Sequence, residues 1–181
     1  HEKIGYNYRM SNICAGIGRG QMTIVNKHIA HHQHVQQLYE QLLKDVEGIT
    51  VHSQPATGEY ESNFWLCTIL LDESIRVKGQ EEVYKTIVTS VVGGAAGVIH
   101  AAQTATTDCQ PNDNVEAMRI ALDKAGVEAR PVWKTMHKQP VYQNAPAYIN
   151  GVSESVFKMG MCLPSGPWVK DEDVLRIVET I

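Results

Sequence analysis

Apolar residues return at helical intervals near the start of the chain. Met10, Ile13, Cys14, Ile17 and Ile24 fall on one face, and Ser11 is suited to cap the amino end. The spacing predicts a helix from about residue 11. Gly16, Gly18 and Gly20 lie inside it, each costing a helix about 1 kcal/mol relative to alanine, so another backbone is expected to pass close to that face. A second helical pattern follows, with Ile29, Val35, Leu38, Leu42 and Val46 on one side and a stop expected near Gly48. Residues 64–71, FWLCTILL, form an unbroken apolar run closed by Asp72 and Glu73, the pattern of a central strand buried on both faces.

Further along, residues 113–125 read as a helix. Val115, Met118, Leu122 and Ala125 share a face, Asp113 and Glu116 have capping-box spacing, and Gly126 is placed to end the helix. Residues 127–133 alternate as a strand does, and Pro131, lacking an N–H, puts that strand at an edge. A last helix is expected over 171–181. Asp171, Glu172 and Asp173 sit at its positive end, while Val174, Ile177, Val178 and Ile181 face inward. The order helix, helix, strand, strand, helix, strand, helix fits an α+β layer with helices on one face of a small, mostly antiparallel sheet. Residues 78–112, rich in Ala, Gly, Val and Thr, are the odd segment: a helical part is expected over about 80–89, and Gly93, Gly94 and Gly97 leave the remainder without a clear pattern.

Composition narrows the class. The 181 residues are 43% hydrophobic, enough for a full core, and 16 Lys+Arg against 20 Asp+Glu give a net charge of −4. That balance offers no excess positive charge for a nucleic-acid backbone. Cys14, Cys67, Cys109 and Cys162 lie far apart without a C-x-x-C pair, which argues against a zinc ribbon or a disulfide framework and suits reduced thiols. The most apolar window, 87–102, is shorter than the roughly 18–20 residues that cross a bilayer. The amino terminus has neither a signal peptide's apolar stretch nor an initiator methionine, so the chain is expected to be part of something longer.

Several motifs carry candidate chemistry. His28, His31, His32 and His34 are the densest group of metal-ligand types, with His28 and His32 one helical turn apart. Ile29, however, stands where a metalloprotease helix has its glutamate, and a solvated His-rich face accounts for the pattern. Gly16-Ile-Gly-Arg-Gly20 is not preceded by a strand and so fails as a dinucleotide fingerprint. Ser155-Val-Phe-Lys158 matches S-x-x-K without the companion motifs, and Gly93-x-x-x-Gly97 has little specificity outside a membrane. No metal site is expected. Just before the first helix, Asn7 and Arg9 could direct an amide and a guanidinium at an anion, or could belong to an ordinary capped turn. Arg130-Pro-Val-Trp-Lys-Thr-Met-His137 delivers an aromatic ring, two cations and an imidazole at a strand end. That mixture suits an anionic ring-containing ligand, unless Trp133 is core and His137 caps a loop.

Taken together, Gly5-Tyr-Asn-Tyr-Arg-Met-Ser-Asn-Ile-Cys-Ala15, Ala129-Arg-Pro-Val-Trp-Lys-Thr-Met-His137, Cys162-Leu-Pro-Ser-Gly166 and Asp171-Glu-Asp-Val174 resemble the carboxy-terminal part of the DegT/DnrJ/EryC1/StrS aminotransferases. These are pyridoxal 5'-phosphate (PLP) enzymes that aminate nucleotide-linked keto-sugars in polysaccharide and lipopolysaccharide synthesis. The resemblance implies the small domain of a fold-type I enzyme. Residues 1–24 would form the loop and start of the interdomain helix, and residues 25–181 the small domain, with an atypical insertion at about 76–112. It implies that Asn7, with Arg9 as a second candidate, reaches the cofactor phosphate of the neighbouring subunit in a homodimer. His137, with Trp133 and Lys134 behind it, would lie on the substrate side.

The resemblance further implies that the covalent lysine belongs to a large domain upstream, so that this chain holds no catalytic residue and does not turn over alone. Thr135 replaces the family's usual proline, which loosens the loop before His137. An amino-acid donor and a cytoplasmic location complete the expectation. A sugar dehydratase of the same family, with histidine in place of the lysine, and a non-catalytic partner-binding module are the alternatives.

Overall fold

The computed structural model describes residue 5 and residues 9–78 and 109–181. The helix expected over 80–89, the Gly93-x-x-x-Gly97 pattern, most of the 76–112 insertion, and Asn7 lie outside the described residues. In chain order the elements are α1 (Asn12–Met22), α2 (Val25–Leu43), β1 (Ile49–Val51), β2 (Cys67–Leu71), α3 (Asp113–Lys124), β3 (Arg130–Pro131), two short 3-10 turns (Met136–Lys138 and Pro140–Tyr142), α4 (Val152–Met159), β4 (Gly160–Leu163) and α5 (Asp171–Thr180).

The four strands form one antiparallel sheet in the order β1-β2-β4-β3. Because opposed residues of an antiparallel pair share a face, Cys67 with Leu163, Ile69 with Met161 and Leu71 with Ile49 mark one side of the sheet. On that side lies the core. Val35, Tyr39 and Leu43 of α2, Val115, Met118 and Leu122 of α3, and Val174 and Ile177 of α5 pack over Cys67, Ile69, Leu71, Met161 and Leu163. This is the α+β layer that the hydrophobic pattern predicts.

Local chemistry sets the boundaries. Ser11 caps α1, its hydroxyl accepting from Cys14 N–H at 3.2 Å. Gly48 turns the chain from α2 into β1 at φ +79°, where an added Cβ would also lie 2.8 Å from the Ile75 side chain. Gly126, at φ +74°, ends α3 as expected, and Val127 N–H donates back to Leu122 O at 2.8 Å. The amino end of α3 differs from the expected capping box. Asn112 is the cap residue, Asp113 lies in the first turn, and Glu116 is taken by Arg119, whose Nε donates to its carboxylate at 2.9 Å. At α5, Asp173 accepts from Lys170 N–H at 3.0 Å and closes the first turn.

Three expectations are corrected. The apolar run 64–71 is strand only from Cys67, because Ser62 and Asn63 side chains accept from the amides of Phe64 and Trp65 (3.0 and 3.1 Å) and hold a turn there. The strand expected over 127–133 is reduced to the edge pair Arg130–Pro131. The helix α4 and the strand β4, which occupies the middle of the sheet, lie outside the elements that the pattern predicts. Around the glycines of α1, the expected close neighbour is missing among the described residues: nothing lies within 4 Å of a Cβ built at Gly16, Gly18 or Gly20, and α1 buries no residue. Met10, Ile13, Ile17 and Met22 stand exposed along it.

Candidate functional site

On the sheet face opposite the core, Arg130, Cys162 and Thr68 form a row across β3, β4 and β2. Here the strands open into a groove of about 590 Å³. Its lining includes Cys162 and Arg130 from the sheet, Trp65 before β2, Pro131 and Trp133 after β3, and Pro164 to Pro167 after β4. The surfaces are mostly apolar, with Glu128, Arg130 and His32 as the ionisable groups. The indoles of Trp65 and Trp133 lie with centroids 5.9 Å apart and planes tilted by 33°.

The walls are tied to the core by hydrogen bonds. Tyr39 OH, from α2, donates to Pro164 O at 3.0 Å, and Ser165 Oγ donates to Trp65 O at 2.9 Å. Burial pushes the Tyr39 hydroxyl well above its ordinary range, so it stays a protonated donor. Burial likewise drives the Cys67 thiol up to about 12 and raises that of Cys162. Neither sulfur is a nucleophile at neutral pH. Arg130 and Glu128 pair with each other at the exposed rim.

His32 enters the groove from α2. Burial lowers its pKa; a hydrogen bond with the Asn63 backbone opposes that shift, and the nearby His31 and His28 add to it. Its Nε2 is buried without a hydrogen-bond partner among the described residues, as is that of His31. The reading of a wholly solvated His-rich face therefore holds for exposed His34, which meets Asp171 Oδ1 at 2.8 Å, but not for His31 and His32. Among the described residues no three His, Cys, Asp or Glu side chains gather as a metal site.

The depressed pKa of His32 makes a pH prediction. The unfolded histidine takes a proton near its ordinary value of about 6.5, and the folded one only at lower pH. The chain is therefore expected to lose stability as pH falls below that value, and to recover part of it in His32→Gln. Thermal melts of both forms between pH 5 and 8 check this; parallel curves would remove His32 as a cause.

The residues marked out by sequence are not all brought together. Trp133 lines the groove. Lys134 and His137 do not: Lys134 O accepts from Gln139 Nε2 at 3.1 Å, and His137 turns toward Glu154, with Nε2 4.0 Å from its carboxylate. Glu154 also faces Lys138 at 3.8 Å and Lys158 at 3.4 Å, so it is the shared counter-charge of a basic cluster. Arg9 is exposed at φ +73°, two residues before the Ser11 cap. By sequence it precedes the amino end of α1, and a guanidinium and first-turn N–H groups are both donor types that suit a phosphate.

A small antiparallel sheet with helices packed on one face, and an aromatic groove lined by the residues around β3 and β4, define an α+β domain. The chain superposes on an aminotransferase of the DegT/DnrJ/EryC1/StrS type from Brucella abortus with a TM-score of 0.63, at 18% identity, covering 99% of this chain and 39% of that one. It therefore has the small-domain fold of such enzymes. The model of the DegT/DnrJ/EryC1/StrS aminotransferase family matches residues 1–105 and 81–181, and the chain belongs to that family.

Among curated relatives, the "Putative pyridoxal phosphate-dependent aminotransferase EpsN" of Bacillus subtilis (strain 168) is 28% identical over 185 residues, covering 100% of this chain and 37% of the relative. The GDP-perosamine synthase of Vibrio cholerae is 26% identical over 182 residues, covering 100% and 39%. The chain thus spans well under half the length of the curated relatives it matches. Among the described residues no helix is long and apolar enough to cross a membrane.

Proposed function

We propose that this chain is the carboxy-terminal part of a PLP-dependent aminotransferase that passes an amino group from an amino-acid donor to a nucleotide-linked keto-sugar, acting as a cytoplasmic homodimer. The observation that carries this reading is the family match along the whole chain; the names of EpsN and GDP-perosamine synthase supply its cofactor and its substrate class. Residues 1–24 are then the loop and start of the interdomain helix, and residues 25–181 the small domain.

Bound PLP supplies the electron-withdrawing ring that such amino transfer needs. The residues of this chain bind and orient. Asn7 and Arg9 hold the phosphate of the cofactor in the neighbouring subunit. Trp133 offers the substrate an apolar surface, and Lys134 and His137, outside the groove itself, are assigned to the substrate side as an ammonium and an imidazole.

The test uses the intact protein that contains this segment, supplied with PLP, an amino-acid donor and nucleotide-linked keto-sugars. A product carrying an amino group in place of the keto oxygen, read by mass spectrometry, is the expected result. Loss of water without gain of nitrogen would make the protein a dehydratase, and cofactor binding without either product would remove the sugar assignment. In the same protein, His137→Ala is expected to lower kcat/KM for the sugar nucleotide on the order of tenfold, the scale of one hydrogen bond to a charged group, with the cofactor spectrum unchanged. A changed spectrum with unchanged sugar-nucleotide kinetics would reverse the assignment.

A further inference from the structure

Trp65 is held out of the core by design of its surroundings. Its indole is 64% exposed, although it belongs to an apolar run whose next residues, Cys67, Ile69 and Leu71, are fully buried. Exposing so large an apolar ring forgoes burial that the adjacent core offers. The backbone is bent to do it. Phe64, just before, sits at φ +44°, a left-handed conformation that costs a bulky residue energy. Three further bonds keep the bend: Phe64 N–H to Ser62 Oγ at 3.0 Å, Trp65 N–H to Asn63 Oδ1 at 3.1 Å, and Ser165 Oγ to Trp65 O at 2.9 Å.

The ring so presented meets Trp133, which is 67% exposed. At a centroid separation of 5.9 Å and a tilt of 33° the two indoles touch each other, so no third ring fits between them and a ligand ring would stack on an exposed outer face of this aromatic platform. Pro131 and Pro164 continue the apolar surface of the groove, and the Glu128–Arg130 pair stands at its rim with an acceptor and a donor. A platform of this kind takes a flat heteroaromatic ring, whose faces stack and whose edge carries polar groups.

We propose that Trp65, with Trp133, forms the stacking platform for the base of the nucleotide that carries the sugar. This rests on the proposed function, since it presumes a nucleotide-linked substrate. Trp65 is then a positioning residue: it holds the nucleotide end and does not touch the reacting carbon.

The experiment measures binding of GDP, UDP, dTDP and pyrophosphate to the intact, PLP-loaded protein by calorimetry. Trp65→Ala and Trp65→Leu, the second keeping apolar bulk without a ring, are each expected to weaken the tightest nucleoside diphosphate by about 5–100-fold, the range for loss of one stacking ring. Pyrophosphate affinity and the cofactor spectrum should not move, and Trp65→Phe should retain most of the affinity. Wild-type affinity for the nucleoside diphosphate in Trp65→Leu overturns the inference, and so does an equal loss for pyrophosphate. If the wild-type protein aminates a nucleotide sugar yet the Trp65 variants bind nucleotides normally, the platform alone is wrong. If the wild type binds no nucleoside diphosphate, the nucleotide-linked substrate fails, and the platform with it.

Discussion

Ile69→Ala is expected to lower the free energy of unfolding by about 2–5 kcal/mol. Ile69 is the middle residue of β2, fully buried, and paired with Met161 on one side and Val51 on the other. It belongs to the cluster that α2, α3 and α5 close over the sheet, so the vacated volume is walled by elements that cannot all move inward. Ile69→Val, which removes a single methyl group, should cost about 0.5–1.5 kcal/mol. Denaturant midpoints of the two variants check the pair. Equal midpoints would mean that the sheet relaxes into the space and that the core is less rigid than its burial suggests.

In the intact protein, under the proposed dimeric arrangement, Asn7→Ala is expected to weaken PLP retention by about 1–3 kcal/mol, the scale of losing a hydrogen bond to a charged group. The expectation rests on the resemblance of Gly5-Tyr-Asn-Tyr-Arg9 to the loop that crosses between subunits in this family, and on its position just ahead of the Ser11-capped α1. Cofactor release during gel filtration or dialysis, followed by absorbance, measures it, with dimer mass checked in the same run. Unchanged retention in a properly dimeric variant would remove Asn7 from the cofactor site. Arg9→Ala should show a smaller loss in the same assay if it lies at the edge of the same anionic region.

The helices that cover the core were legible because their signals are redundant. In α5 three acids at the amino end and Val174 and Ile177 one turn apart point to the same start and the same buried face. In α3 the apolar face and Gly126 agree on the end, whereas Asn112 and Asp113 are both cap residue types and leave the start open by one residue. The strand β4 is not legible in the sequence for a physical reason. All four of its residues are buried, so Gly160 to Leu163 show no alternation, and a short apolar run does not declare its period.

The site was legible in part. Trp133 reaches the groove by lying just past an edge strand, as its place after Pro131 suggested. Trp65 is hidden in the sequence because its apolar run continues without a break into the strand that follows it. The signal that could have separated them is the Ser62-Asn63 pair, whose side chains bind the next amides and break the strand before it starts. The neighbouring histidines mark His32 in the sequence, while its place in the groove with Trp65 and the loop after β4, and its hydrogen bond with the Asn63 backbone, are encoded by no local pattern.

The strand order β1-β2-β4-β3 also has a bearing on synthesis. The middle of the sheet joins Cys67 to Leu163, so β2 acquires its inner neighbour only when the last part of the chain has been made. Closing a loop of that span carries an entropic cost before any contact rewards it. As the ribosome delivers the chain, β1 and β2 can form a hairpin early, but its apolar face at Ile69 and Leu71 waits for β4 and α5. A nascent chain stalled before residue 160 would therefore display an unpaired, apolar strand edge of the sort that chaperones bind and aggregates recruit.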